Sequence, residues 1–145
     1  MCMVRDLVKG RPIYSVDAEQ TVLEAATYMR DHNIGAVPVL RDGALEGIFS
    51  ERDVMNRVVA GLRSPGLTKV SEVMTPRPRV VSGDDSLENC LFIMRELGFR
   101  HLPVMDGDKV EGLISLRDIL LRDLSDKDNE VQQMRAYISE VPKAS

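Results

Sequence analysis

The chain of 145 residues contains no tryptophan, and aromatic residues make up only 4% of it. Its uncharged apolar stretches, such as residues 36–40, are far too short to span a bilayer. Near the N-terminus, Arg5, Asp6 and Lys9 interrupt the only apolar stretch, so no secretory signal is recognisable. These absences predict a cytoplasmic protein without a membrane partner, or an organellar one if a transit peptide has been removed.

The sequence contains few residues that bind metal ions or carry out thiol chemistry. The two cysteines, Cys2 and Cys90, form no C-x-x-C pair, and the two histidines, His32 and His101, lie near neither cysteine in sequence. Cys90 falls at helical spacing among apolar residues, which is typical of a small core residue. The sequence therefore predicts no metal site.

Catalytic motifs are also missing. There is no G-x-S-x-G, P-loop, G-x-G-x-x-G or H-E-x-x-H segment. A net charge of −4 disfavours a protein that binds nucleic acid through its phosphate backbone. We expect neither catalytic residues nor a nucleic-acid partner.

An internal repeat is the main feature that is present. A shift of 65 positions places residues 16–57 on residues 81–122 without a gap, and it yields many more identities than the roughly two or three expected by chance. The identical pairs are Val16/Val81, Met29/Met94, Arg30/Arg95, Pro38/Pro103, Val39/Val104, Glu46/Glu111, Gly47/Gly112, Ser50/Ser115, Arg52/Arg117, Asp53/Asp118 and Arg57/Arg122. Upstream, residues 4–8 resemble residues 70–74 at a shift of 66. The chain is a duplicated unit.

Both units show the same order of predicted elements, β-α-β-β-α, which defines an α/β (α+β) fold. In the first, a strand at 13–16 precedes a helix that Thr21 opens with a capping box, and two strands at 36–40 and 45–49 flank an Asp-Gly turn. A second helix is expected to bury its apolar side chains; in the first unit these are Val54, Met55, Val58 and Val59, and in the second Ile119, Leu120 and Leu124.

The predicted divisions are repeat 1 at 1–62, a linker at 63–67 around Ser-Pro-Gly, repeat 2 at 68–124 and a helical tail at 125–145. Because a unit of about 60 residues is marginally stable alone, we expect the two repeats to pack about a pseudo-two-fold axis with equivalent clefts between them. In the tail, Val131, Met134, Ile138 and Val141 have helical spacing beside Tyr137. They indicate a helix that packs on a dimer or on a partner, or else a frayed, solvated helix.

The most informative motif is Gly-x-x-Ser-x-x-Asp, which occurs at 47–53 and again at 112–118. It lies where a strand passes into a helix, so free backbone amides favour an anion, and the aspartate could accept the hydroxyls of a ribose. Ser-x-x-Asp is equally the pattern of an ordinary helix cap. A cap alone does not require the same arginine twice, and Arg52 and Arg117 recur with Ser50, Asp53, Ser115 and Asp118.

A second possible ligand-binding segment differs between the repeats. The first has Gly35-Ala36-Val37-Pro38, and the second has Arg100-His101-Leu102-Pro103. The prolines favour an exposed strand end, where the backbone could meet a flat heterocycle, and Arg100 and His101 would add positive charge. The alternative is a solvated arginine and a packed histidine.

Taken together, these segments and the Val-Met-Thr-Pro sequence at 73–76 resemble a tandem CBS-domain pair, or Bateman module, of the stand-alone type. The resemblance covers the chain to about Leu124 and implies a homodimer whose clefts bind an adenosine-containing molecule. It implies that Asp53 and Asp118 bind ribose, that Ser50 and Ser115 lie beside the phosphates, and that Arg100 and His101 meet the phosphates. The full predicted set is Val16, Ala36, Val37, Pro38, Ser50, Arg52, Asp53, Val81, Arg100, His101, Leu102, Pro103, Ser115, Arg117 and Asp118.

The leading functional hypothesis is a non-enzymatic regulatory module that binds AMP, ADP, ATP or NAD(H) and acts on an unidentified regulated protein. One alternative is a dimerisation scaffold whose clefts bind no ligand. Another is a sensor of S-adenosylmethionine, whose sulfonium would gain nothing from Arg100 or Arg117. Because Gly35 and Ala36 replace the basic pair, we expect the two clefts to differ in their affinity for phosphate.

Overall fold

The computed structural model describes residues 2–140, with side chains through Tyr137. The helices are α1 Val4–Val8, α2 Val22–His32, α3 Glu51–Asp53, α4 Val70–Val73, α5 Leu87–Leu97 and α6 Leu116–Glu140, and α3 continues into a π-helical segment, Val54–Val59. The strands are β1 Val16–Asp17, β2 Ala36–Arg41, β3 Ala44–Ser50, β4 Thr75–Pro76, β5 Val81–Ser82, β6 His101–Asp106 and β7 Lys109–Ser115. The predicted mixed fold of two α/β units is confirmed. Within residues 2–140, no helix combines the length and apolar character that a membrane crossing requires.

The local signals explain most of these elements. The Thr21 hydroxyl accepts the Glu24 amide while the Glu24 carboxylate accepts the Thr21 amide, so the predicted capping box opens α2. Between β2 and β3, Asp42 and Gly43 both have positive φ, as a tight two-residue hairpin requires. The first strand of each repeat is shorter than the sequence predicts: β1 is Val16–Asp17 where a strand at 13–16 is expected, and β5 is Val81–Ser82 where one at 79–82 is expected. Ile13 before β1 is exposed.

Two sheets carry the two units. The order β1-β2-β3-β4 forms one sheet and β5-β6-β7 the other, with β1 parallel to β2 and β5 parallel to β6. Pro38 pairs with Ile48 in the first sheet, and Pro103 pairs with Leu113 at the equivalent register of the second. The duplication in the sequence is therefore a duplication of strand register.

Each unit completes its hydrophobic core with the entry segment of the other. Val4, Leu7 and Val8 of α1 pack with α5 and β6 of the second unit, whereas Val70 and Val73 of α4 pack with α2, β2 and β3 of the first. Backbone hydrogen bonds hold each entry segment on the other unit: the Val4 amide donates to Asp85 O at 2.9 Å, and the Val22 amide donates to Thr68 O at 2.8 Å. The two cores are thus interlocked, which meets the need of two small units to share their stability.

The helices that close the units differ from the prediction. Val58 and Ile119 are buried as expected, but Met55, Val59, Leu120 and Leu124 are exposed. Leu120 and Leu124 are the counterparts of Met55 and Val59 at the shift of 65, so the same face of the closing helix is turned toward solvent in both units. In the second, α6 continues without a break into the predicted tail.

Candidate functional site: two clefts between the repeats

Two clefts open between the repeats, and each contains one copy of the Ser-x-x-Asp motif. We name them the Asp118 cleft, of about 560 Å³, and the Asp53 cleft, of about 320 Å³. Gly35, Glu51 and His101 line both clefts and therefore form the wall between them. Each cleft combines residues of both repeats: the motif of the second repeat faces the segment 33–36 that leads into β2, and the motif of the first faces the segment 98–101 that leads into β6.

In both clefts the motif makes the helix cap that its sequence allows. The Ser50 amide donates to Asp53 Oδ2 at 2.9 Å, and the Asp53 amide donates to the Ser50 hydroxyl at 3.3 Å. The equivalent distances for Ser115 and Asp118 are 2.9 and 3.0 Å. Capping accounts for the serine and the aspartate, so it leaves the arginines of the motif as the feature that needs another explanation.

The glycine of the motif has a packing role. A Cβ at Gly47 would lie 2.6 Å from Met74 Sδ and 2.7 Å from Thr75 O, because β4 pairs against β3 at this point. At Gly112 a Cβ would lie 3.1 Å from Val8 Cγ1. The recurrence of glycine thus reflects the close approach of each entry segment, and it carries no information about a ligand.

The two aspartates have different cationic neighbours. Asp118 Oδ2 lies 3.3 Å from Arg11 Nη1, and 25% of the Asp118 side chain is exposed. Asp53 Oδ1 lies 3.8 Å from Arg57 Nε, and 10% of its side chain is exposed. Arg57 is itself anchored, because its Nη1 donates to Val73 O and Met74 O at the end of α4. Asp53 is therefore the more buried of the two, and its neighbouring arginine is fixed by backbone contacts, whereas Asp118 has the closer cation.

The balance of charge also separates the clefts. Four arginines line the Asp53 cleft against two acidic residues, namely Arg52, Arg57, Arg79 and Arg100 against Glu51 and Asp53. The Asp118 cleft has two arginines against three acidic residues, namely Arg11 and Arg117 against Glu51, Glu111 and Asp118. An anionic ligand is favoured in the Asp53 cleft and a neutral or cationic one in the Asp118 cleft.

His101 stands in the shared wall and is only partly exposed. Burial lowers the pKa of His101, although the nearby Asp118 and Glu51 carboxylates oppose the shift. Its imidazole is therefore neutral at pH 7, where it can donate one hydrogen bond and accept another.

Ten of the fifteen predicted residues line the clefts. Ala36, Pro38, Ser115, Arg117 and Asp118 lie in the Asp118 cleft; Ser50, Arg52, Asp53 and Arg100 lie in the Asp53 cleft; His101 lies in both. The lining does not include the other five, because Val16, Val37, Val81, Leu102 and Pro103 are buried in the two units. Strand alternation explains part of this, since Ala36 and Pro38 face the cleft and Val37 between them faces the core.

Other lining residues were not predicted from sequence. They include Arg11, Tyr14, Ile34 and Glu111 in the Asp118 cleft, and Arg57, Thr75, Pro78 and Arg79 in the Asp53 cleft. One signal could have found some of them, because Arg11-Pro12 and Arg77-Pro78 are identical pairs at the shift of 66 positions. Arg57 was visible as an identical pair with Arg122, but nothing local indicates that it reaches the end of α4.

Tyr14 extends one end of the Asp118 cleft toward an aromatic cluster. Its ring centroid lies 4.7 Å from that of His32 and 6.2 Å from that of Tyr28, and the Tyr28 hydroxyl accepts the Ser15 amide at 3.3 Å. In the second repeat Ile93 and Leu97 replace Tyr28 and His32, and at the position of Tyr14 a shift of 65 gives Arg79 and a shift of 66 gives Val80, neither of them aromatic. The aromatic end is therefore specific to the Asp118 cleft. In the described part of the chain, histidine, cysteine and carboxylate side chains form no group of three that could hold a metal ion.

The duplicated unit, the interlocked cores and the two inter-repeat clefts describe a tandem-repeat protein with a pair of related binding clefts. A family model of the CBS domain matches residues 4–60 and 70–125, and the chain belongs to the CBS-domain family. CBS-domain pairs are in general regulatory rather than catalytic. The predicted resemblance to a stand-alone CBS pair is confirmed.

Individual relatives agree with this assignment. The CBS domain-containing protein YhcV of Bacillus subtilis is 36% identical over 129 residues, which are 88% of this chain and 89% of YhcV. A solved structure of a Burkholderia ambifaria protein with CBS domains is 36% identical, with a TM-score of 0.81, and the match covers 86% of this chain and 96% of that one. The structure of CBSX2 in complex with AMP is 27% identical with a TM-score of 0.72, over 88% and 99% of the two chains.

Proposed function

We propose that this protein is a regulatory module that binds an adenine nucleotide, with the phosphate-bearing ligand in the Asp53 cleft. The observation that carries the proposal is the convergence of four arginines on one Ser-x-x-Asp motif. An ordinary helix cap needs none of them. The complex of CBSX2 with AMP supports the choice of an adenine nucleotide.

Two groups of side chains in the cleft would bind two parts of the ligand. The ribose hydroxyls would bond to Asp53, whose carboxylate is held in place by its cap and by Arg57. The phosphate would lie among Arg52, Arg79 and Arg100, where charge-assisted bonds are stronger than neutral ones. AMP, ADP, ATP and NAD(H) all offer these two features, and the proposal includes each of them.

The Asp118 cleft supports a second candidate ligand. Its excess of acidic residues and its apolar and aromatic lining, which includes Tyr14, Ile34 and Leu113, favour an adenosine compound without phosphate. S-adenosylmethionine is of this kind, because its sulfonium and ammonium groups are positive. Of the two arginines from which its sulfonium would gain nothing, Arg100 lines only the other cleft. Arg117 lines this one, but here the acidic residues outnumber the arginines.

The remaining parts of the proposal concern partners and location. We propose a homodimer, which is supported by the exposed apolar side chains of Met55, Val59 and Leu62 at the surface of the first unit. A non-enzymatic role, a regulated protein as partner and a cytoplasmic location complete the proposal. Nucleotide turnover by the pure protein would contradict the non-enzymatic role.

Calorimetric titration with AMP and 2′-deoxy-AMP tests the ligand assignment. Loss of one charge-assisted bond corresponds to about 1.5–3 kcal/mol, so we expect 2′-deoxy-AMP to bind at least about tenfold more weakly. Equal affinities would show that the ribose does not contact Asp53. Failure of AMP, ATP, NADH and S-adenosylmethionine alike to bind would favour the scaffold alternative.

A further inference from the structure

Helix α6 extends well beyond the unit that it closes. It runs for 25 residues from Leu116 to Glu140, a length of about 37 Å. Ile119 near its beginning is buried in the second core, whereas almost every described side chain from Asp123 onward is exposed. The first repeat has no such extension, because its closing helix ends after Val59. The additional turns contribute little to the core of this chain.

This extension nevertheless carries apolar residues at coiled-coil spacing. Leu120, Leu124, Val131 and Met134 occupy positions four, seven and three residues apart, and they are 46%, 63%, 44% and 64% exposed. In a heptad, Leu124 and Val131 are a residues, and Leu120, Lys127 and Met134 are d residues. In the sequence, Ile138 and Val141 continue the same series, beyond the described side chains. The spacing is that of a seam between two helices.

We propose that this seam pairs with the same helix of a second copy of the chain, in the antiparallel direction. The charges beside the seam determine the direction. In a parallel pair Lys127 would face the partner's Lys127, and Asp123 at position g would face the partner's Asp128 at position e. In an antiparallel pair with Val131 against the partner's Met134, the two Lys127 residues lie about 16 Å apart along the axis.

The antiparallel register also creates favourable pairs. Asp128 at position e then lies beside the partner's Arg135, also at position e, and two-fold symmetry repeats this pair on the other side. Lys127 stays paired with Asp123 of its own helix, where Nζ lies 3.0 Å from Oδ2. A parallel pair would also have two opposite-charge contacts, between Glu130 at position g and the partner's Arg135 at position e, but its two Asp123–Asp128 contacts and its lysine pair oppose them. The antiparallel pair keeps two opposite-charge contacts without these repulsions.

The pairing is independent of the clefts, so its test is separate from that of the ligand. The variant V131E/M134E places two negative charges on the seam. The matched control N129E/Q133E adds the same charge away from the seam and leaves Gln132, whose Nε2 donates to Asp128 Oδ2 at 3.3 Å, in place. Sedimentation analysis over a hundredfold range of protein concentration measures the association of each, and urea denaturation checks that both variants keep the stability of the wild-type fold.

We expect V131E/M134E to weaken one association step at least tenfold and the control to leave that step unchanged. If the two variants associate equally, or if the wild-type chain does not associate at any concentration, the proposal is wrong. Charge reversal tests the direction, since D128R should weaken an antiparallel pair and D128R/R135D should restore it. Tighter association of D128R alone would indicate a parallel pair and overturn the proposed direction.

Discussion

Arg11 reaches across the Asp118 cleft and holds the aspartate that the motif supplies there. Its Nη1 lies 3.3 Å from Asp118 Oδ2, the same oxygen that accepts the Ser115 amide. Arg11 lies between α1 and β1, and α1 is the entry helix that packs on the second core. The exchange of entry segments therefore places a cation on the carboxylate that a ribose would need, and the ligand must compete with it.

Removal of the Arg11 charge should raise the affinity of the Asp118 cleft for an uncharged ligand. We expect Arg11→Gln to bind adenosine two- to fivefold more tightly, because an exposed ion pair contributes at most about 1 kcal/mol. Lys9→Gln removes the same charge from the same segment and should leave the affinity unchanged. Calorimetry with adenosine measures both, and weaker binding by Arg11→Gln would show that Arg11 contacts the ligand directly.

The two motif glycines should respond differently to an added methyl group. Gly47→Ala would bring Cβ to 2.7 Å from Thr75 O, a backbone atom that cannot move without disturbing β4. We expect a loss of about 1–3 kcal/mol in the free energy of unfolding, as is common for overpacking. Gly112→Ala meets a side chain at 3.1 Å and should lose less. Urea denaturation of both variants measures the difference, and equal losses would contradict the packing described for β4.

Protonation of His101 should destabilise the fold. Because burial lowers the pKa of His101, the unfolded chain binds more protons than the folded one between that lowered pKa and about 6.5. The free energy of unfolding should thus fall as the pH is lowered through this window and level off below the folded pKa. His101→Gln should remove this component, while His32→Gln should retain it.

Binding of a phosphate should shift the pKa of His101 in the opposite direction from burial. A bound anion beside His101 favours the imidazolium, so the pKa of His101 should rise on binding and the affinity for AMP should increase as the pH falls. Proton NMR titration with and without AMP measures the shift directly, since the sequence contains only two histidines. An unchanged or lower pKa in the complex would place the phosphate away from His101.

Cys90 should be nearly unreactive at neutral pH. Burial, with a smaller contribution from Asp85, raises the pKa of its thiol to about 11, and the thiolate is the reactive form. We expect Cys90 to react with a disulfide reagent far more slowly in the folded protein than in denaturant. Cys2→Ser leaves it as the only thiol, and a rate in the folded protein equal to that in denaturant would show that the second core opens readily.

The sequence predicted the features that depend on local patterns. The β-α-β-β-α order, the hairpin at Asp42-Gly43 and the Thr21 capping box follow from residue type and spacing, and the structure contains all of them. The Ser-x-x-Asp motifs were also located correctly at the ends of β3 and β7. Their capping role was an open alternative, and the structure shows that the cap is present in both.

Features that depend on contacts between distant segments were not predicted. The repeat pattern gives no sign that α1 packs on the second core, and therefore none that Arg11 meets Asp118. Likewise, Met55 and Val59 fit a helical stripe, but the core meets a different face of this helix and leaves them at the surface, as it leaves their counterparts Leu120 and Leu124. Val37 and Leu102 were included because the resemblance implies that their strands line an adenine pocket. Val37 and Leu102, like Val16, Val81 and Pro103, are buried because of which face each strand turns inward.

Calorimetric titration with AMP of Asp53→Asn and Asp118→Asn tests the central claim most directly. Asparagine can still accept the backbone amide of the cap, so both variants should fold, and urea denaturation verifies this. We predict that Asp53→Asn binds AMP at least about tenfold more weakly and that Asp118→Asn binds it like the wild type. Loss of AMP binding in Asp118→Asn alone would contradict the account, because it would place the nucleotide in the more acidic cleft.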